Sequence, residues 1–302
     1  MQTKIEILDK KIHKSGFVSI LGKPNAGKST LLNALLEYKL SIATPKAQTT
    51  RHRILGISNG EDYQIVYSDT PGVIRPKYRL QEKMMGFVNH ALEDADLILL
   101  MVAINEKFPE DILIGLANKT KIPIILVVNK VDLADDKRVN ERIKALRAKV
   151  SFVESIAISA LHNFNVEDLK KLILNYLPEG PAYYDKEALS DRPERFFMSE
   201  IIREKIFLLT KQEIPYGTEV EITSFQDKPK LIAIQATIHV ERKSQKGMII
   251  GKRGSMLKKI GTDARKDMEE FLGKKVFLEL YVRVSDGWKD SNKHLRSFGY
   301  GD

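Results

Sequence analysis

The sequence predicts an open α/β domain followed by a smaller α+β domain, and three observations carry that prediction. Apolar runs at 17–21, 97–103 and 122–128, the later two continuous and separated by helical spacers, have the pattern of strands buried on both faces of a parallel sheet. Asn175 to Asp191, with Pro178, Gly180 and Pro181, interrupts that alternation. Beyond it, Lys275 to Val284 alternates cleanly, with Val276, Leu278, Leu280, Val282 and Val284 on one face, as in a sheet covered on one side only. The expected division is 1–180 for the first domain, 181–191 for a linker and 192–302 for the second, and 302 residues suffice for about two domains of ordinary size.

The first apolar run leads into Gly22-Lys23-Pro24-Asn25-Ala26-Gly27-Lys28-Ser29-Thr30, which fits G-x-x-x-x-G-K-[ST]. Leu31, Leu32, Leu35 and Leu36 follow at helical spacing, so the motif has the strand-to-helix setting it requires. Its glycines let backbone N–H groups turn inward around phosphates, Lys28 adds a cation at the β/γ oxygens, and the Ser29 hydroxyl can ligate Mg²⁺. The first domain is therefore expected to have the α/β P-loop NTPase fold.

Residues 41–57 are polar and threonine-rich and read as a long loop. A strand at Ile65 to Ser68 then delivers Asp69-Thr70-Pro71-Gly72. Asp69 is placed as a carboxylate for Mg²⁺, and Gly72 lets a backbone N–H approach a terminal phosphate. Asn129-Lys130-Val131-Asp132 after the run at 122–128, and Ser159-Ala160 after a strand near 155–158, are base-reading positions. An ionised Asp132 accepts from the N1–H and 2-amino groups of guanine, Asn129 bonds the base and braces the phosphate loop, the Lys130 stem lies along the ring, and the Ala160 N–H meets O6. Adenine would leave the Asp132 charge unpaired, a discrimination on the order of 10⁴. Strand ends gathered on one side of an open sheet are where ligands bind.

In the second domain a helix is expected over Arg192 to Glu213, strands over Val220 to Phe225 and Leu231 to Val240, and a helix over Ser255 to Leu272. Before that last helix lies Ile249-Ile250-Gly251-Lys252-Arg253-Gly254. A G-x-x-G loop between two helices, carrying cations beside an aliphatic groove, clamps the backbone of about four unpaired nucleotides in a KH module. Ile249, Ile250, Gly251, Lys252, Arg253, Gly254 and Lys258 are the candidate RNA contacts. Charge agrees: of a net +9, residues 241–302 carry 15 Lys/Arg against 9 Asp/Glu. There are no cysteines, so no disulfide or thiolate metal site. No apolar run approaches the roughly 20 residues that cross a bilayer, and the opening residues lack a signal-peptide core, so a cytoplasmic location is expected.

The ordered set GKPNAGKST, QTTRHRILGI, DTPG, NKVD, ISA, IIGKRG, IGTDARKDMEEFLG, LELYVRVSDGW and LRSFGY resembles the Era family of bacterial GTPases over nearly the whole chain. That resemblance implies a Ras-like GTPase domain joined to a type II KH domain of order α-β-β-α-α-β. It also implies binding near the single-stranded 3′ end of small-subunit (16S) ribosomal RNA during 30S maturation, and a loose association with the inner membrane face. Tandem relatives carry two phosphate loops, whereas this chain has one. Within residues 48–52 the resemblance places the switch threonine that completes the Mg²⁺ shell with Ser29 and Asp69, Thr50 being favoured over Thr49.

The residue after DTPG is Val73, which cannot orient water as a glutamine there does, so slow intrinsic hydrolysis is expected, with water held by backbone groups and charge neutralised by Lys28 and Mg²⁺, and with Thr50 and Gly72 completing the catalytic set. Asn25 prompts the expectation that K⁺, held by Asn25 and the 41–57 loop, replaces an arginine finger. Arg51 and Arg53 are expected to be solvated or to bind RNA phosphate, and His52 has no metal-ligand spacing. Two other readings stand beside the GTPase switch: an RNA chaperone whose nucleotide site is largely structural, and a membrane-associated signalling GTPase.

Overall fold

The computed structural model describes residues 13–106 and 111–301. The opening residues 1–11, where no signal-peptide core is expected, lie outside the described residues. The first domain runs β1 (Lys14–Gly22), α1 (Lys28–Leu36), β2 (Ile54–Asn59), β3 (Tyr63–Asp69), α2 (Arg79–Glu93), β4 (Leu97–Ala103), α3 (Asp111–Lys119), β5 (Ile124–Asn129), α4 (Asp136–Arg147), β6 (Glu154–Ile158) and α5 (Val166–Tyr176). Its sheet has the order β2-β3-β1-β4-β5-β6. All neighbours are parallel except β2 against β3.

The continuous apolar runs lie where their composition demands. Every residue of β4 and β5 is buried, with helices on both faces. β1 pairs with β3 on one side and β4 on the other, so its carboxyl end opens at the switch point of the sheet, and the phosphate loop occupies that crevice. Residues 54–57, read as loop, instead belong to β2, and this strand runs opposite to the others. Its residues Ile54, Leu55 and Ile57 are buried, while the Gly56 backbone packs so closely under α1 that an added Cβ would stand 2.6 Å from Leu36.

The linker is not a free tether. Residues 177–193 run from the start of β1, past the Gln64 side chain of β3, to the free edge of β2. Ile57 N–H donates to the Leu189 carbonyl at 2.9 Å, the Tyr183 and Tyr184 N–H groups donate to Gln64 Oε1 at 2.7 and 2.9 Å, and Ser190 Oγ donates to the Leu55 carbonyl at 2.5 Å. The sheet edge, otherwise open for pairing, is covered by its own chain.

The second domain comprises α6 (Glu194–Leu209), β7 (Thr218–Asp227), β8 (Ile232–Val240), α7 (Lys243–Ile250), α8 (Ser255–Leu272) and β9 (Val276–Val284), followed by α9 (Asn292–Ser297). β7 is antiparallel to β8, and β8 is parallel to β9. The α-β-β-α-α-β order is that of a type II KH domain. α6 and α8 cover one face of the sheet; on the other, Phe277 and Tyr281 are exposed, as the alternation in β9 predicted. The buried apolar cluster of the first domain continues without a break into the second, from Leu31 and Ile54 to Phe197, Ile206 and Ile238.

A candidate GTP site joined to a candidate RNA-binding domain

The phosphate loop is built by backbone conformation. Asn25 and Gly27 adopt positive φ of 65° and 101°, and α1 starts at Lys28. A Cβ at Gly27 would stand 2.3 Å from Asn129 Nδ2, so the glycine leaves room for the brace: Asn129 Nδ2 donates to the Ala26 carbonyl at 2.9 Å. Lys28 is buried and its ammonium bonds the carbonyls of Gly22 and Lys23 at 3.2 and 3.0 Å. Burial lowers its pKa against the opposing charges of Asp69 and Glu106. Gly72 meets the loop from the other side; an added Cβ would stand 2.5 Å from Pro24 N. Its backbone is thus pressed against the place where a terminal phosphate would lie.

Ser29, Thr50 and Asp69 come together, although they are far apart in sequence. Ser29 Oγ lies 2.7 Å from Asp69 Oδ2 and 2.9 Å from Thr50 Oγ1, and Thr50 Oγ1 lies 3.5 Å from Asp69 Oδ2. Thr49 turns away, bonding Thr44 and the Lys46 carbonyl. Asp69 is fully buried, and its Oδ1 has no hydrogen-bond partner. Burial raises its pKa, opposed by Lys28 and Ser29. An orphaned carboxylate oxygen beside two hydroxyls is a hard-oxygen set that suits Mg²⁺, a cation that keeps several waters and needs few protein ligands. Its charge would favour the ionised carboxylate.

At the base end, Ser159 Oγ donates to Asp132 Oδ1 at 2.6 Å, fixing the carboxylate. Lys130, at φ 64°, stretches its ammonium to the Asn25 carbonyl at 2.8 Å. The Ala160 N–H is directed to Asn129 Oδ1 at 3.0 Å, so a bond to O6 would have to be shared with that brace. Two residues of the expected nucleotide site have no side chain free for a ligand. The Thr70 side chain is fully buried and donates to the Ile20 carbonyl at 2.9 Å, so it is turned away from the cleft. Ala26 is likewise buried and offers backbone alone.

In the KH domain Gly251 and Gly254 take positive φ of 72° and 79°, and Arg253, at 51°, shares the left-handed turn. A Cβ at Gly251 would stand 2.7 Å from Met256 Cβ, so the turn cannot tighten around a larger residue. Lys252, Arg253 and Lys258 are exposed. Beside them lies a groove of about 410 Å³ lined by Leu257, Lys258, Gly261, Thr262, Leu278 and Leu280. One assignment is corrected: α7 turns Ile249 fully into the core, so its side chain supports the loop and is not presented on the surface where RNA would lie. Ile250 is half-buried.

The two sites are stitched together by residues that sequence reasoning misplaced. Arg51 is not solvated: it makes four hydrogen bonds into the second domain, to the carbonyls of Thr218, Pro215 and Tyr216 and to Glu219 Oε2 at 3.0 Å. Tyr300 also donates to Glu219, at 2.6 Å. Burial would push the Glu219 carboxyl up, but Arg51 and Arg203 outweigh it and hold the group below the usual carboxylate range. Lys46 Nζ reaches the Phe207 and Thr210 carbonyls at the end of α6. On α2, Leu80 and Met84 pack against Trp288, Leu295 and Tyr300. Only the basic and aromatic character of QTTRH and LRSFGY hinted at this seam.

His52 lies inside it, stacked on Tyr300 at 4.2 Å and flanked by Phe87 and Phe196. Burial, with Arg203, Arg192 and Arg51 opposing Glu219, pushes its pKa down to about 3. A histidine neutral when folded takes a proton on unfolding, so between pH 6.5 and about 3 the unfolded state binds the extra proton and stability falls as pH falls. From pH 7.5 to 5.0 this single group accounts for about 2 kcal/mol. Denaturant unfolding should therefore show the wild type losing about 2 kcal/mol more than His52→Phe over that interval; equal losses would remove His52 as the cause.

Comparison with known proteins agrees with both halves. A family model described as a 50S ribosome-binding GTPase matches residues 17–130, and one described as a KH domain matches 213–289. GTPase Era of Caldanaerobacter subterraneus is 47% identical over 95% of this chain and 98% of its own length. GTPase Era of Staphylococcus haemolyticus is 43% identical over 95% and 97%. A solved structure of an Aquifex aeolicus Era variant bound to GDP·AlF₄⁻ has a TM-score of 0.93 at 40% identity, covering 96% of this chain and all of that one. A second, of Era with MgGDPNP and nucleotides 1506–1542 of 16S ribosomal RNA, gives the same values. With one phosphate loop, one KH domain and end-to-end similarity of this degree, the chain belongs to the GTPase Era family.

Proposed function

We propose that this protein hydrolyses GTP and uses the γ-phosphate to control how its KH domain holds the single-stranded 3′ end region of 16S ribosomal RNA as the small subunit matures. The observation that carries the reading is the seam. The 41–57 segment that supplies Thr50 to the Mg²⁺ cluster also supplies Lys46, Arg51 and His52 to the second domain. A change at the γ-phosphate therefore moves side chains buried between the two domains. The related Era bound to MgGDPNP and nucleotides 1506–1542 of 16S ribosomal RNA supports the choice of RNA and of Mg²⁺.

In this reading the phosphate-loop amides and Lys28 hold the triphosphate, and Gly72 N–H meets the γ-phosphate. Ser29, Thr50 and Asp69 hold Mg²⁺, which neutralises charge on the β- and γ-oxygens when bound. Asp132, fixed by Ser159, reads guanine, with Asn129, Lys130 and Ala160 around it. Lys252, Arg253 and Lys258 clamp the RNA backbone, with bases in the groove of Leu257 and Leu280. The 30S subunit is the assembly on which this acts, in the cytoplasm. Among the described residues no helix is long and apolar enough to cross a membrane.

The coupling is tested by equilibrium binding of an oligonucleotide from the 16S 3′ end, at fixed salt, with GTP analogue and with GDP. A difference of about fivefold or more is expected, the lower end of ordinary allosteric coupling. Identical affinities would remove the thermodynamic basis of a switch. Anionic vesicles binding as tightly as the oligonucleotide would favour the membrane reading instead.

K⁺ is the proposed complement to Lys28. Asn25 is exposed at the mouth of the cleft beside the 41–57 segment, where a monovalent cation would meet charge developing between the β- and γ-phosphates. Turnover is expected to be about tenfold or more higher in K⁺ than in Na⁺, a modest fraction of an arginine finger's effect. Equal rates would sink the idea.

A further inference from the structure

Val73 poses a problem for hydrolysis that another part of the chain answers. Its side chain is 5% exposed, packed into the apolar cluster of Leu21, Val88 and Leu100, and presents nothing to a water. We propose that Gln48, oriented by Gln81, positions the water that attacks GTP. The inference rests on the hydrolytic reading above.

Gln48 borders two spaces at once. One is the nucleotide cleft, which it shares with Lys28, Ser29, Thr50 and Gly72. The other is an adjoining cavity of about 450 Å³ lined by Pro24, Val73, Ile74, Arg75, Lys77 and Gln81. The common wall is formed by Pro24 and Gln48, next to Gly72, and so flanks the position of a γ-phosphate held by Gly72 N–H. A water entering from the second cavity reaches that phosphate past the Gln48 carboxamide.

The amide's orientation is determined. Lys77 N–H donates to Gln81 Oε1 at 2.8 Å, so the Gln81 nitrogen must face the other way. It donates to Gln48 Oε1 at 3.1 Å. Gln81 is 5% exposed on α2, so both ends of its amide are used and it cannot easily turn. Gln48 therefore keeps an amide nitrogen that bonds no described residue and a second lone pair on Oε1. One carboxamide can thus both accept from and donate to a water. Gln48 also sits at φ 57°, a strained conformation for a side-chain-bearing residue of the kind held at functional sites, two residues before Thr50.

In the step, the water oxygen bonds Pγ, and the bond from Pγ to the β–γ bridging oxygen breaks with its electron pair on GDP. Both water hydrogens leave with inorganic phosphate. Gln48 gains and loses no proton, so it is a positioning residue, and Gln81 acts through it.

The test uses the full-length protein with Gln48→Gly, because glycine adopts the left-handed backbone freely and removes only the side chain. Turnover is expected to fall about 100-fold with KM for GTP and affinity for a non-hydrolysable GTP analogue unchanged. Affinity for Mg·GDP·AlF₄⁻, which mimics the transferring phosphoryl group, should fall by a similar factor. Gln81→Met should show a smaller loss, and Gln48→Gly/Gln81→Met no more than Gln48→Gly alone. Turnover by Gln48→Gly within twofold of the wild type would overturn the inference, as would equal weakening of both analogues, which would mark a structural role. No turnover by the wild-type protein would overturn the hydrolytic reading and this inference with it.

Discussion

Replacing Arg51 by alanine is expected to destabilise the full-length protein by about 3–5 kcal/mol, because it leaves the Glu219 carboxylate buried opposite an empty space. The two side chains are 3% and 6% exposed, so water cannot substitute readily for the lost guanidinium. Three backbone carbonyls lose a donor at the same time. Arg203 still faces Glu219 electrostatically and limits the loss. Denaturant unfolding measures the effect, and a loss under about 1 kcal/mol would show that the pair contributes no more than a surface one. Neutralising both members, with Arg51→Met and Glu219→Gln together, should recover much of the stability, since the penalty comes from the unpaired charge. That double variant separates stability from communication. It should fold, yet its RNA affinity should respond less to the identity of the bound nucleotide than the wild type's does.

The second large effect is at the base. Asp132→Asn is expected to weaken GTP binding on the order of 10⁴-fold and to turn the preference toward xanthosine triphosphate. Guanine offers two donors to the carboxylate; an asparagine presents an N–H₂ group there, suited to the carbonyl that xanthine carries in place of the amino group. Because Ser159 holds Oδ1 at 2.6 Å, the remaining oxygen is already directed and little reorganisation is needed on binding. Competition between the two nucleotides for the variant measures the shift. Unchanged GTP affinity would take Asp132 out of the base site.

What could be read from the sequence was whatever depends on local pattern. The apolar runs of β4 and β5 are so uniformly buried that composition alone placed them, and the phosphate loop, DTPG and NKVD follow β1, β3 and β5, parallel strands whose carboxyl ends lie on one side of the sheet. Thr50 could be preferred over Thr49, but only the geometry shows one hydroxyl 2.9 Å from Ser29 and the other bonded to Thr44. Three kinds of feature escaped. β2 was lost in a polar stretch because its strand character comes from pairing with β3 and from the linker beyond it. Thr70 and Ile249 lie within motifs that contact ligands, yet whether a motif residue turns its side chain or only its backbone to the ligand depends on packing from elsewhere in the fold. Arg51 was misread because its partners, at 215–219, are more than 160 residues away. No local rule distinguishes a cation that meets water from one that meets four converging oxygens of another domain.

The contacts of Lys46 and Arg51 also bear on what counts as a unit in this chain. Phe207, Thr210, Pro215, Tyr216 and Thr218 lie in the second domain, and their carbonyls accept from cations of the first. Severed at the linker, the C-terminal half would have to hydrate the end of α6 and the start of β7, and the N-terminal half would carry an arginine stripped of its acceptors and a histidine stripped of the Tyr300 ring. The linker lies between the two motif sets, while hydrogen bonds and one buried apolar cluster cross it, so the two halves are expected to unfold in a single transition and not as beads on a string.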